Sequence, residues 1–248
     1  MKYLVILLIL SIEIFANIGK ITLLKGSATI TRENSTYKAK LGSIINSTDK
    51  IDTYKKSKLQ IILNDDTTLT LGANTEYIID SYDDKNDPHL QTTLIGGLLT
   101  TISGKIGKIA PHKFKLKTKT SLIGIRGTKW KTFVGKKSEN SVCLKGEITI
   151  KTAKERFNLP AGYMLLTKDG KSRKFKTNMK FFDALTTKAL SKQKPKPIPT
   201  TKLLQQNSIN STNKIQIKNS NISTNVKVQN VNVSKNGSAN VGNIDIEK

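Results

Sequence analysis

The 248-residue chain has one cysteine, two histidines and one tryptophan, and only 6% of it is aromatic. A single thiol excludes an intramolecular disulfide and a thiolate metal cluster. That thiol, Cys143, sits in the apolar run Val142-Cys143-Leu144, the setting of a buried, unreactive side chain. His89 and His112 stand apart without metal-site spacing. The chain also lacks a His-Glu-x-x-His pair, a nucleophile elbow and a glycine-rich phosphate loop opening a helix. Nothing in the pattern pairs two carboxylates for acid–base work, so the expectation is a non-enzymatic protein with no metal and no cofactor. Scarce aromatics also weigh against recognition of single-stranded nucleic acid by base stacking.

Acidic residues are few: 18 Asp and Glu against 42 Lys and Arg, a formal charge of +24. Such an excess attracts anionic polymers, whether lipopolysaccharide, acidic glycan or nucleic acid. The lysines are spread along the whole chain, however, so a general compositional bias explains the number equally well. The one acidic cluster, Asp80, Asp83, Asp84 and Asp87, lacks the glycine and closing glutamate of a calcium loop and reads as a solvated turn.

Long apolar runs are confined to the start. Residues 1–16, MKYLVILLILSIEIFA, have a basic second residue, an apolar stretch too short to span a bilayer, and Ala16 at the end, the pattern of a signal peptide. An uncleaved anchor is the alternative, because Ile14 and Glu13 fit a cleavage site poorly. The expectation is a mature chain without a membrane span, placed in the periplasm, secreted or on the cell surface.

From residue 17 to 170 the periodicity is that of strands. Apolar alternations at 21–24, 27–31, 59–63, 68–71, 77–79, 114–116, 130–134 and 147–151 are rich in Ile, Leu, Val and Thr. Gly26, Gly42, Gly72, Gly96, Gly104, Gly107 and Gly146 read as punctuation between them, and Asn64-Asp65-Asp66 as a hairpin turn. The fold class is therefore all-β, either sandwich-like or a short solenoid. Residues 171–193 contain a short helical segment with Phe181, Phe182 and Leu185 on neighbouring positions and Asn178 as a start signal. Residues 194–200 form a stiff Pro/Lys linker. In the Asn/Ser/Lys-rich tail, 201–248, strict alternations such as Ile215-Gln216-Ile217 and Val226-Lys227-Val228 suit either disorder or β-stacking, and so self-association.

Three stretches together resemble the FecR domain of bacterial envelope proteins. The first runs from Gly26-Ser27-Ala28-Thr29-Ile30 to the Asp49-Lys50-Ile51-Asp52-Thr53 turn. The second is the hairpin from Lys58 to Gly72, with Asp65-Asp66 where the family has Asp-Gly. The third ends in Gly124-Ile125-Arg126-Gly127-Thr128-Lys129-Trp130, with Lys119 replacing a proline upstream. The resemblance implies a short twisted solenoid and a role in contacting an envelope protein or glycan, as a signal-sensing module. The family's best-known members also have a cytoplasmic helical part and a membrane span, neither of which this chain shows, so anti-sigma activity is not implied for it.

Within these stretches, Gly124 and Gly127 give backbone freedom on either side of Arg126. Arg126 is then placed to clip two turns by pairing with Asp49 or Asp52, or alternatively to hold a ligand. Trp130 reads as core, with a binding platform as the alternative. Arg126, Gly127, Thr128, Trp130, Gly124, Asp49 and Asp52 are the candidate motif residues. The competing functional classes are a structural or adhesive surface protein assembling through its tail, and a basic polyanion binder.

Overall fold

The computed structural model describes residues 17–176 and 179–191; the leader, linker and tail predicted from the sequence, and Asn178, lie outside them. Eight strands precede residue 84: β1 (Asn17–Lys25), β2 (Ala28–Arg32), β3 (Ser35–Lys38), β4 (Ile44–Asn46), β5 (Lys50–Thr53), β6 (Lys58–Leu63), β7 (Thr68–Leu71) and β8 (Glu76–Asp83). Three long strands follow, β9 (His89–Ile102), β11 (Ser121–Val134) and β12 (Ser138–Thr152). Between β9 and β11 come a one-turn helix α1 (Ile106–Ile109) and β10 (Phe114–Lys117). The chain continues through β13 (Arg156–Pro160), β14 (Tyr163–Lys168) and β15 (Lys171–Lys176) to helix α2 (Met179–Ser191).

The long strands explain the architecture. Residues 89–96 of β9 pair with β8, whereas 97–102 pair with the second half of β11. In β11, 122–124 run beside β10 and 129–134 beside β9. In β12, 138–142 pair with β14 and 147–151 with β13. Each long strand therefore contributes to two layers. Layer one is ordered β3-β2-β5-β8-β9-β10-β11-β12-β13 and layer two β4-β1-β6-β7-β9-β11-β12-β14-β15. The strands double back rather than merely bend. Thr120, just before β11, bonds to Glu139, which lies opposite Val134 at the far end of the same strand. The result is all-β, as the sequence indicates: a two-layered, sandwich-like body made of arched strands. Among the described strands the β9–β10 pairing is parallel and the other pairings are antiparallel.

Alternation fills the space between the layers. Leu59, Ile61 and Leu63 from layer two face Ile51, Tyr77, Ile79, Ile123, Ile125, Ile148 and Ile150 from layer one in a single buried cluster. Each such side chain contributes roughly 1.5–3 kcal/mol by leaving water. Trp130 is buried there, edge-on to Phe114 with ring centroids 5.8 Å apart, so it is a core residue. Cys143 is buried beside it in sequence register, and burial pushes its thiol above the ordinary range.

Segment 171–193 opens as strand, not helix, because the Asp169-Gly170 turn, both residues at positive φ, folds β15 back onto β14. Helix α2 then covers part of the outer face of layer two. Phe182 is fully buried against Phe133, Val142 and Met164, with Met179 and Leu185 on the same helical face. Gly96 and Gly146, read as breaks between strands, lie inside β9 and β12 instead. No helix of the described residues is long and apolar enough to cross a membrane.

Candidate functional site

The Arg-Gly-Thr motif is the point where β11 passes between layers. The β11–β12 register shifts between Arg126 and Trp130, a bulge that needs a left-handed residue: Gly127 has φ +59° and Gly146, across from it, φ +77°. A Cβ on Gly146 would come within 2.4 Å of the Gly127 carbonyl, so this glycine is required for space as well as conformation. Ser103 ties the bulge to the end of β9, accepting from the Thr128 amide at 2.9 Å and donating its own amide to the Thr128 carbonyl at 3.0 Å.

The same end of the body contains the Asp65 turn. Asp66 takes φ +68°, the conformation a glycine would hold. Asp65 is buried, and its carboxylate accepts from the Thr67 amide (3.0 Å), the Thr67 hydroxyl (2.8 Å) and the Ile106 amide (3.1 Å). Its own amide donates to the Tyr82 hydroxyl at 2.9 Å. Burial, and then the nearby carboxylate of Asp65, hold the Tyr82 phenol above its ordinary range.

An arginine–carboxylate clip exists, but Arg126 is not its arginine. Asp49, fully buried, is held by Arg32 through Nε at 2.8 Å and Nη2 at 2.9 Å, and by the Asn46 amide at 2.8 Å. The hydrogen bond to Asp49 raises the Arg32 guanidinium further above its already high range. Asp52 lies 3.9 Å from Lys50. Arg126 is exposed, and among the described residues it makes no ion pair. The reason is parity: Ile123 and Ile125 face the core, which turns Gly124 and Arg126 outward.

Outward residues of layer one form a cationic face. Lys117 on β10 pairs across Leu122 with Lys151 on β12, which is opposite Arg156 on β13; Lys115 is opposite Gly124. With strands about 4.8 Å apart, Lys117 and Lys151 stand about 10 Å from each other. Lys115, Lys117, Lys151 and Arg156 are all exposed, and among the described residues none of them is in an ion pair. Glu147, opposite Arg126, and Glu155, next to Arg156 in the chain, are acidic residues at the edges of this face. In its middle is a depression of about 240 Å³, lined by His112, Lys115, Leu122, Gly124, Lys151 and Arg156 among others. A Cβ on Gly124 would meet nothing within 4 Å, so its absence is not demanded by packing; it leaves the floor of the depression open.

The acidic cluster is a structural loop. Asp83 accepts from the amides of Lys85, Asn86 and Asp87, which holds it below the ordinary carboxylate range; Asp87 is lowered too, chiefly by Lys113. Asp80 accepts from Thr93 at 2.8 Å. Sequence reasoning missed Lys115, Lys151 and Arg156. The alternation Phe114-Lys115-Leu116-Lys117 signals outward lysines, but which strands lie beside them depends on pairings remote in sequence.

Residues 49–149 match the family model described as FecR protein. Two crystal structures of a candidate anti-sigma factor from Parabacteroides distasonis are similar to the chain, at 12% and 14% identity, with TM-scores of 0.46 and 0.47. The likeness covers 55% and 54% of this chain and 63% and 62% of theirs, so the chain spans less than two thirds of their length. No curated protein matches. The matched segment takes in Asp49, the Asp65 turn, β9 to β11 and the Arg126 bulge, and over these residues the chain is similar to the FecR family.

Proposed function

We propose that this chain is a non-catalytic recognition module working outside the cytoplasmic membrane, and that it signals presence of an anionic envelope glycan by binding it on the outer face of layer one. The carrying observation is the unneutralised set Lys115, Lys117, Lys151 and Arg156 around the open floor at Gly124. Cations fixed on a sheet at regular spacing suit a repeating chain of negative charges. None of the residues lining the depression is aromatic apart from His112, which favours an acidic polysaccharide over single-stranded nucleic acid. The sequence's leader pattern supports an extracytoplasmic place, and the FecR match supports a signalling role.

The test is binding of the chain to polygalacturonate, measured between low and moderate salt beside single-stranded DNA of equal charge. The expected result is tighter binding to the polysaccharide, with log affinity falling against log salt with a slope of about −3, as for release of a few counterions. Salt-independent binding, or stronger binding to the DNA, contradicts the reading.

A further inference from the structure

At the end of the body away from the bulge, three turns converge: 118–120 before β11, 135–137 between β11 and β12, and 169–170 between β14 and β15. They line an open cavity of about 300 Å³, at the small end of the range for small-molecule sites. Its lining includes Glu139, Asp169, Thr120 and three lysines, Lys119, Lys136 and Lys137.

Glu139 differs from Asp65 in its hydrogen bonding. It is only 5% exposed, and among the described residues it, like Asp65, has no ion pair. Its hydrogen bonds are both to Oε2, from the hydroxyls of Thr118 at 2.7 Å and Thr120 at 2.6 Å. Thr118 is itself fixed by the amide of Ser121 at 2.9 Å. Oε2 is thus oriented by a rigid turn, while Oε1 takes no donor from the described residues. Oε1 is not among the buried unpartnered atoms, so it opens to the solvent of the cavity, where a ligand hydroxyl can take the place of water.

The chemistry of the lining narrows what that is. Glu139 Oε1 can accept from ligand hydroxyls. The exposed lysines 119, 136 and 137 on the rim need negative charge. A bare divalent cation is disfavoured by three lysines beside one buried carboxylate, Glu139, and one exposed one, Asp169. A neutral sugar leaves the lysines unused. We infer that this cavity binds a hydroxylated anion of monosaccharide size, a carboxylated or phosphorylated sugar, with Glu139 accepting from its hydroxyls and the rim lysines holding its acidic group. The inference deepens the glycan reading and rests on it for the choice of sugar. Lys119 stands in the turn that follows Lys117, so the cavity adjoins the end of the cationic face, where the last residue of an acidic chain would lie.

The experiment is an NMR titration of the ¹⁵N-labelled full chain with glucuronic acid, glucose 6-phosphate and glucose at matched ionic strength. Saturable shifts clustered at residues 118–121, 135–139 and 167–170 with one or both acids, and weaker ones with glucose, are the expected result. The glucuronate and phosphate arms tell which anionic group the site takes. Glu139→Gln should lower the affinity about tenfold, the loss of one charge-assisted hydrogen bond. Because Glu139 is buried, a second variant guards against misfolding: Lys136→Ala with Lys137→Ala, in an exposed turn, should bring the acids down to the level of glucose. Shifts scattered over the molecule's lysines, glucose bound as well as the acids, or full affinity in the lysine variant would overturn the site. Polygalacturonate binding that persists with a silent cavity would remove this inference and leave the proposed function standing.

Discussion

The two ends of the body treat buried carboxylates in opposite ways. At the bulge end, Asp65 takes three protein donors, and Gly104 and Gly146 pack so closely that a single added carbon collides with backbone. At the other end, Glu139 takes two hydroxyls on one oxygen, is in no ion pair among the described residues, and lines an open cavity rimmed with lysine. Saturated hydrogen bonding marks a carboxylate that serves the fold; spare capacity next to a cavity marks one available to a ligand. The Arg-Gly-Thr motif belongs to the first kind. Its glycine makes a bulge, its threonine anchors β9, and its arginine points to solvent.

This contrast can be broken by stability measurements. Asp65→Ala strands three donors in the interior and should cost about 4 kcal/mol, read as a lowered urea midpoint at unchanged slope. A loss below about 1 kcal/mol would mean that water reaches the turn and the end is not closed. Next in size, Gly146→Ala should cost about 3 kcal/mol, since it meets both positive φ and a backbone collision. Gly127→Ala, with positive φ but open space, should cost only about 1 kcal/mol. Equal costs would contradict the division of labour across the bulge. Smaller still, Arg126→Ala should change stability by less than about 0.5 kcal/mol, as for an ordinary surface site. Arg32→Ala, which leaves Asp49 buried and unpaired, should cost about 3 kcal/mol. The reverse order would restore the clip to Arg126.

That last pair shows how far the sequence can be read. The all-β class, the strand positions and the burial of Trp130 follow from alternation and composition, because those are local. The need for an arginine to hold Asp49 was also legible. Its identity was not: Arg32 reaches Asp49 because β2 pairs with β5, a relation the spacing of residues does not reveal. Parity could have excluded Arg126, since residues two apart on a strand share a face and Ile123 and Ile125 are core. The arching of β9, β11 and β12 was hidden for a related reason. A glycine inside a long strand and a glycine between two short ones look alike until the partner strands are known. The cationic face and the Glu139 cavity are both products of such remote pairings, which is why an even spread of lysines along the chain disguised them.

The most direct test of the account is a charge-matched comparison of polygalacturonate binding at low salt. One variant reverses Lys115, Lys151 and Arg156 to Glu; the other reverses Lys20, Lys25 and Lys58, exposed on layer two, and so has the same net charge. The account predicts that the first loses binding by about a hundredfold or more, as for two or more lost charge contacts, while the second stays within about threefold of the parent. Equal losses in both would show that net charge alone draws the polymer and would contradict a built recognition face.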